Sequence, residues 1–210
     1  MGEPAIAVLA AEERQRIDAL LATLAAVFAA EGRPGGTAAA EALTRAGSKP
    51  YLPLDERTHL GGELARALAH PGALPAAGIV AAAGDLIRWH YSGLSDGRIR
   101  PEIARHMQTA YLLGPEASAV WDSTVRVGLF LQSAGLDYPA RCHSAEETFF
   151  ILSGTAQWQV GEDPPCSCPP GSYVHHPSYV PHATVTRAEP VLAAWRWTGD
   201  IRFENYQLKG

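Results

Sequence analysis

The sequence predicts a mainly β protein, in which an antiparallel barrel of jelly-roll type follows an α-helical N-terminal region. Two observations carry this prediction. The first third of the chain is rich in alanine with larger apolar residues at helical spacing, whereas β-branched residues and alternating polarity prevail from about Arg105 onward. Short apolar runs then follow one another at close intervals, separated by Gly, Pro or Asp. We therefore expect a helical region over residues 1–104, packed on a β-barrel over residues 105–210.

Size and charge narrow the classes of function. A chain of 210 residues suits one domain, or one domain with a helical appendage, and is long enough to bury a core. The net charge of −5 argues against nucleic acid as the main partner, because phosphate-binding surfaces are usually basic. No apolar run reaches the ~18 residues of a membrane span, and the N-terminus lacks a signal-peptide pattern. We expect a cytoplasmic protein without a membrane partner.

The cysteines predict no disulfide framework. Cys142, Cys166 and Cys168 are too few and odd in number for one. The pair Cys166 and Cys168 also lacks the two-residue gap of a zinc knuckle or of a thioredoxin-like redox motif. We expect plain reduced thiols.

Four helices are expected in the first hundred residues, over Ala5–Ala30, from Thr37 to about Arg45, over Gly62–Ala69 and over Pro75–His90. The first carries leucines at helical spacing and ends where Pro34 and several glycines follow. Thr37 is a candidate N-cap for the second helix.

The second half of the chain reads as a series of short strands. Eight are expected, over Met107–Leu113, Thr124–Gln132, Thr148–Leu152, Ala156–Val160, Tyr173–His176, Ala183–Thr186, Val191–Trp197 and Ile201–Tyr206. Their number and close spacing favour an antiparallel barrel or jelly roll.

The stretch from Tyr138 to Gly154 concentrates polar side chains just before and within one of these strands. In an extended strand every second side chain faces the same way. The residues that share this parity are Arg141, His143, Glu147, Phe149 and Ile151. We expect them to point into the barrel together. An inward histidine and carboxylate are costly to bury unless something compensates them, and a divalent metal does so.

A third ligand is available further along the chain. His182 could complete a set of two histidines and one carboxylate, which leaves positions open for water and substrate. Each residue alone has a simpler interpretation, as a hydrogen-bonded core histidine or a solvated charge. His175 and His176 are adjacent, so at most one of them can join the site. The combination favours metal ligation by His143, Glu147 and His182.

This pattern resembles the two motifs of the cupin family. Glu147–Gly154 has the glutamate-to-glycine spacing of the first motif, with His143 at its second histidine, and Pro169–Gly171 followed by His182 resembles the second motif. Arg141 stands where the first motif has its first histidine. The resemblance implies a jelly-roll barrel that holds a divalent transition metal with three ligands instead of four, beside a permanent cation. The metal stays open among Fe, Mn, Zn, Ni and Co.

The whole chain is similar to the cupin-type bacterial dimethylsulfoniopropionate lyases and their lyase-like relatives. The likeness lies in four segments, Val125–Phe130, Asp137–Pro139, Ala145–Thr148 and Trp195–Asp200. It implies an enzyme that removes the proton α to a substrate carboxylate and releases dimethyl sulfide from the β-carbon, leaving acrylate. The expected partner is a small-molecule carboxylate substrate. Cupins of this kind often pair, so a homodimer is expected too.

The resemblance also assigns roles to single residues. Tyr138 matches one of two tyrosines that matter in that family and is the expected catalytic base. The other tyrosine lies two residues after the glutamate, where this chain has Phe149, which can neither bind a metal nor accept a proton. Arg141 is expected to bind a substrate carboxylate. The candidates for cation–π contact with the sulfonium group, each otherwise ordinary core, are Phe149, Tyr173, Trp195 and Trp197.

Three functions stay open on the sequence. The first is a metal-dependent lyase. The second is a non-haem iron dioxygenase or another cupin oxidoreductase, because two histidines and one carboxylate suit Fe(II) and O₂. The third is a cupin that binds or senses a small ligand without catalysis. No helix-turn-helix sequence is evident in the first hundred residues, which disfavours a DNA-binding regulator.

Overall fold

The fold is a two-sheet antiparallel barrel with helices packed mainly from the N-terminal half, which confirms the predicted fold class. The computed structural model describes residues 9–51, 61–91, 99–115 and 118–208. Its α-helices are α1 (Ala11–Ala29), α2 (Pro34–Ala46), α3 (Gly61–Leu68), α4 (Pro75–Ala82) and α5 (Pro101–Ala104). None of the helices in these residues is both long and apolar enough to cross a membrane.

The second helix begins earlier than the sequence predicts. α2 starts at Pro34, which suits the first turn of a helix because that position needs no N–H. Gly35 suits this position, since a Cβ on it would collide with the guanidinium of Arg196 and with the hydroxyl of Thr198. The Thr37 hydroxyl bonds to the carbonyl of Arg33 instead of capping the helix. Tight packing of the first turn on the barrel therefore outweighs the usual aversion of helices to glycine.

The predicted helix from Pro75 to His90 is wrong in its second half. α4 ends at Ala82, a 3₁₀ turn covers Gly84–Leu86, and His90–Tyr91 forms a short strand, β1. This strand pairs antiparallel with the strand that begins at Met107. Tertiary pairing overrides the helical composition here.

Eleven further strands are described, most of them in the predicted places. They are β2 (Met107–Gly114), β3 (Val120–Trp121), β4 (Arg126–Gln132), β5 (Asp137–Cys142), β6 (Ala145–Ser153), β7 (Ala156–Val160), β8 (Cys166–Cys168), β9 (Tyr173–His176), β10 (His182–Thr186), β11 (Val191–Gly199) and β12 (Gln207–Leu208). The larger sheet has the order β1-β2-β4-β11-β6-β9, with β3 beside β2, and the smaller has the order β12-β5-β10-β7-β8.

The strand predicted over Ile201–Tyr206 is wrong. That segment holds a 3₁₀ turn over Phe203–Asn205, and only Gln207–Leu208 pairs with β5. Side chains explain the turn: Asp200 accepts hydrogen bonds from Arg202, and Asn205 donates to both Asp200 and Ser144. The tail therefore crosses the end of the barrel instead of extending a sheet.

Two apolar layers follow from the alternation of side chains in the larger sheet. Its outer face packs on α1, α2 and α4, with Leu192 and Ala194 of β11 among the buried contacts. Its inner face meets the smaller sheet, with Trp195 and Trp197 of β11 inside. The candidate site lies within this inner layer.

A buried ion-pair cluster joins the helical layer to the barrel wall. Arg196, on the outer face of β11, donates at 3.0 Å to Glu31, just after α1, and at 2.9 Å to Glu146 of β6. The side chains of Arg196 and Glu31 are 0% and 1% exposed. The next residue along β11, Trp197, faces inward, so this cluster lies directly behind the site.

Candidate metal centre

Three predicted ligands meet inside the barrel. His143 lies in the turn between β5 and β6, Glu147 is on β6, and His182 is the first residue of β10. All three are buried, and one ligand atom from each lies within 4.8 Å of the others. Oε2 of Glu147 is 3.3 Å from Nε2 of His143 and 3.4 Å from Nε2 of His182. The arrangement could hold a metal ion.

The hydrogen bonds of the two histidines suit this role. Nδ1 of His143 donates to the carbonyl of Ala145 and Nδ1 of His182 donates to that of Val180, each at 3.0 Å. Nε2 of each ring therefore points toward the carboxylate of Glu147, as the ligand atom of a metal-binding histidine would. Nε2 of His182 is buried and has no hydrogen-bond partner among the described residues. Such a set of converging nitrogen and oxygen atoms favours a cation, and these ligand types fit a divalent transition metal.

Two neighbours orient the carboxylate of Glu147. In the larger sheet Glu147 pairs with His176 of β9 on one side and with Trp197 of β11 on the other. Nδ1 of His176 donates to Oε2 at 2.7 Å, and Nε1 of Trp197 donates to Oε1 at 2.6 Å. His176 is the inward member of the adjacent histidines, while His175 faces outward, 3.2 Å from the hydroxyl of Thr148. His176 thus supports the ligand set from beside it.

Burial and charge hold these groups in the forms that bind metals. Burial raises the pKa of the Glu147 carboxyl, but His143 and His176 outweigh it and keep that pKa well below its usual value. Burial lowers the pKa of His176 to about 4 and that of His182 well below 6.5. A carboxylate on Glu147 and neutral imidazoles on His176 and His182 are therefore present at neutral pH.

A β-bulge brings Arg141 and Tyr138 to the same face of the smaller sheet. Tyr138 pairs with Thr184 and Arg141 pairs with His182, so three steps along β5 oppose two along β10. Strict alternation would have placed these two side chains on opposite faces. The guanidinium carbon of Arg141 lies 4.0 Å from the centre of the Tyr138 ring.

Arg141 is a buried cation beside the ligand set. It is 2% exposed and donates to the Thr184 hydroxyl at 3.1 Å and to the His182 carbonyl at 3.3 Å. No carboxylate of the described residues forms an ion pair with it. A buried charge without a counter-charge is costly, so this position suits an anionic group of a ligand.

Tyr206 is a site residue that the sequence analysis missed. Its hydroxyl and that of Tyr138 form a hydrogen bond, and its ring stacks on His143 with 6.1 Å between centroids. In the same tail Phe203 packs against Trp197 and Tyr111. The only signal in the sequence was a pair of aromatic residues in a polar tail, which could equally belong to a strand.

The predicted aromatic contacts divide between the two faces of the barrel wall. Phe149, Trp195 and Trp197 face inward, and Trp197 lies 4.3 Å from His143 between ring centroids. Tyr173 does not join them, because it pairs with the outward-facing Phe150 and its hydroxyl donates to the carbonyl of Val27. The predicted contact of Tyr173 with the sulfonium is therefore wrong, because Tyr173 lies on the outer face of the sheet and contacts α1.

A jelly-roll barrel with histidines and a carboxylate converging inside defines the cupin type of protein. Residues 37–193 match the dimethylsulfoniopropionate lyase family, and the chain belongs to that family. It is similar to dimethylsulfoniopropionate lyase DddQ of Ruegeria pomeroyi, with 35% identity over 122 residues. This match covers 57% of the chain and 59% of the relative, less than two thirds of the relative's length.

Solved structures extend the similarity over nearly the whole chain. The crystal structure of DddQ from Ruegeria pomeroyi DSS-3 matches with a TM-score of 0.71 and 27% identity, over 93% of this chain and 96% of that one. A structure reported with the lyases RdDddP and RnDddQII matches with a TM-score of 0.70 over 94% and 100%. At 22% identity the second match shows the shared fold alone.

Proposed function

We propose that this protein is a metal-dependent carbon–sulfur lyase, which cleaves dimethylsulfoniopropionate or a similar small carboxylate by β-elimination. The products would be dimethyl sulfide and acrylate. The observation that carries the proposal is the buried meeting of His143, Glu147 and His182 in a member of this lyase family. The support for a lyase is stronger than for an oxidoreductase or a non-catalytic binder, since the family match concerns lyases.

His143, Glu147 and His182 would hold the metal, which stays open among Fe, Mn, Zn, Ni and Co. When bound, a divalent ion supplies Lewis-acid stabilisation of the negative charge that develops on the substrate carboxylate. Trp197 and His176 keep the Glu147 carboxylate oriented through their hydrogen bonds.

Tyr138 is the proposed base. Its phenolate takes the proton from the carbon α to the carboxylate, the electron pair forms the carbon–carbon double bond, and the carbon–sulfur pair leaves with dimethyl sulfide. Two neighbours stabilise the phenolate: the guanidinium of Arg141 over the ring and the hydroxyl of Tyr206. Phe149 cannot take this role because it has no hydroxyl.

Arg141 and the inner aromatic residues are proposed to orient the substrate. Arg141 has N–H groups able to bind a carboxylate, and it lies at the β5–β10 side of the site. Trp197, Trp195 and Phe149 offer ring faces to a sulfonium by cation–π contact. The substrate would then be oriented by its two opposite charges, with its carboxylate bound near Arg141 and its sulfonium against the aromatic rings.

Headspace detection of dimethyl sulfide from metal-loaded protein tests this proposal. We expect release from the wild type, and a rate ~10²–10⁴-fold lower in Tyr138→Phe, the range for loss of a general base. Circular dichroism confirms that the variant is folded. No release above the Tyr138→Phe level would overturn the proposal.

The ligand set itself supports one rival, a non-haem iron oxygenase, since two histidines and one carboxylate suit that chemistry. Oxygen consumption during turnover separates the two functions, because a β-elimination is redox-neutral. We expect equal rates of dimethyl sulfide release with and without oxygen. Release that requires oxygen would favour the rival.

Three further expectations are proposals of the same kind. They are a cytoplasmic location, a homodimer, and a division into a helical region of residues 1–104 and a barrel of residues 105–210. Cell fractionation, analytical ultracentrifugation and limited proteolysis test them in turn. A monomer at micromolar concentration would contradict the dimer.

A further inference from the structure

Two cysteine thiols meet on one edge strand of the smaller sheet. Cys166 and Cys168 are alternate residues of β8, so their side chains share a face, and their sulfur atoms are 3.5 Å apart. The sequence predicted neither this strand nor this contact. β8 pairs only with β7 among the described strands, with Trp158 opposite Cys166 and Ala156 opposite Cys168.

The two thiols differ in exposure and in acidity, as the attacking and resolving thiols of a reactive pair do. Cys166 is exposed and can be reached by a reagent, whereas Cys168 is buried. Burial, with the adjacent Cys166 sulfur, raises the pKa of the Cys168 thiol to about 12. Because the thiolate is the nucleophile, first attack falls to Cys166, and Cys168 is held protonated within reach of its sulfur.

We propose that Cys166 and Cys168 form a redox-active dithiol site, which reacts with small disulfides to give an intramolecular disulfide. In the first step the Cys166 thiolate attacks one sulfur of the small disulfide, forms a mixed disulfide and releases one small thiolate. In the second step the Cys168 sulfur loses its proton, attacks the Cys166 sulfur and releases the other small thiolate. The protein pair loses two electrons and the small disulfide gains them.

The strand geometry makes this bond reversible. Alternate residues of an extended strand have Cα atoms about 6.6 Å apart, near the upper limit of the disulfide range. Closing the bond must draw β8 into a tighter pleat, and a strained, accessible disulfide is readily reduced. As an edge strand, β8 can shift without breaking a second set of pairings.

The change would reach the inner layer through Trp158. This tryptophan faces Cys166 across the β7–β8 pairing, and its ring centroid lies 4.8 Å from that of Phe149 and 5.6 Å from that of His176. A disulfide against an indole quenches its fluorescence. The site therefore has an optical readout that does not depend on lyase activity.

Reaction of the native protein with the aromatic disulfide dithiobis(nitrobenzoate) tests the proposal. We expect the wild type to release both thionitrobenzoates, retain no adduct and lose the mass of two hydrogen atoms on the peptide that contains both cysteines. Cys168→Ser should release one and retain the other as a stable mixed disulfide. Cys142→Ser is the matched control and should behave as the wild type, because Cys142 is buried in β5.

Fluorescence gives the second readout. Oxidation should lower the tryptophan emission of the wild type, dithiothreitol should restore it, and Trp158→Phe should show a smaller change. A wild type that keeps a stable adduct, or that does not react at all, would overturn the proposal. Both outcomes are read on the wild-type chain, so they do not depend on whether a variant folds.

Discussion

Arg141 places a permanent positive charge in the barrel interior, where the resembled cupin motif has a metal-binding histidine. Its guanidinium is buried, bonds only to neutral oxygens of Thr184 and His182 among the described residues, and lies over the ring of Tyr138. With Glu147 as the one carboxylate of the ligand set, a bound divalent ion would leave the site strongly positive. Such a site favours an anionic group of the substrate close to Arg141.

Replacing Arg141 by methionine should weaken substrate binding without loss of the fold. We expect KM to rise about 10–100-fold, since a charge-assisted hydrogen bond contributes ~1.5–3 kcal/mol. The variant should unfold at the same or a higher denaturant concentration, because it removes a buried charge that lacks a counter-charge. Steady-state kinetics and urea unfolding measure the two effects, with Arg141→Lys expected between wild type and methionine. An unchanged KM would show that the substrate carboxylate binds elsewhere.

Tyr206 should matter through its hydroxyl. Tyr206→Phe keeps the ring that stacks on His143 and removes the hydrogen bond to Tyr138. We expect kcat to fall about tenfold or more with little change in KM, because a hydrogen bond to a charged group is worth ~1.5–3 kcal/mol and this one would keep the proposed base Tyr138 in its phenolate form. Tyr173→Phe is the matched control, since it removes a hydroxyl on the outer face. Equal rates in the two variants would exclude the role.

Parity along one strand predicted the inward set on β6, and the structure places Glu147, Phe149 and Ile151 there. It could not predict the relation of Tyr138 to Arg141, because the bulge in β5 adds one residue to the alternation. Nor could it predict that Tyr206 meets Tyr138 from 68 residues away, since no local pattern records such a contact. Local periodicity therefore predicts which side chains share a face within one regular strand, but it does not predict bulges or contacts between distant segments.

At the scale of elements, boundaries depend on packing that lies outside each segment. α2 begins at Pro34 because its first turn fits against Arg196, and β1 and β8 are too short to show a period. Most of the strands with five or more residues were predicted, because that many alternating residues carry a clear signal; β5 was not, since its bulge interrupts the alternation. The short strands β1 and β8, each of which pairs with one neighbouring strand, were not predicted.

Removal of one partner from the ion-pair cluster between α1 and β11 should strongly destabilise the fold. Arg196→Met leaves the buried Glu31 carboxylate without its partner, and we expect a loss of ~3–5 kcal/mol in the free energy of unfolding. Arg187→Met, which breaks an exposed pair with Asp137, should stay within about 1 kcal/mol of wild type. Urea unfolding followed by far-ultraviolet circular dichroism measures both. A similar loss in the two variants would contradict the dominant role of burial.

At the scale of the molecule, the two faces of the larger sheet differ: the outer face packs against helices and the inner face carries residues of the candidate site. Its outer face is covered by helices, through apolar contacts at Leu192 and Ala194 of β11 and through the ion pairs of Arg196. Its inner face carries Glu147 and Trp197 in the same pair of strands. Composition and periodicity predicted the barrel and the helices separately, but nothing local indicated which face the helices would cover. The two layers together bury the polar centre, so the ligand atoms that converge there are costly without a cation.

Removal of the metal should therefore lower the stability of the whole molecule. A ligand that binds only the folded state stabilises it by ~3–4 kcal/mol at 100–1,000 times its dissociation constant. We expect dialysis against a chelator to lower Tm by several degrees, and stoichiometric addition of the metal found by elemental analysis to restore it. Glu147→Gln is the matched control: it should contain little metal and show no response of Tm to the chelator, because it loses the only carboxylate of the ligand set. A wild type that is purified with metal but whose Tm is indifferent to its removal would mean that the ion binds outside the barrel interior.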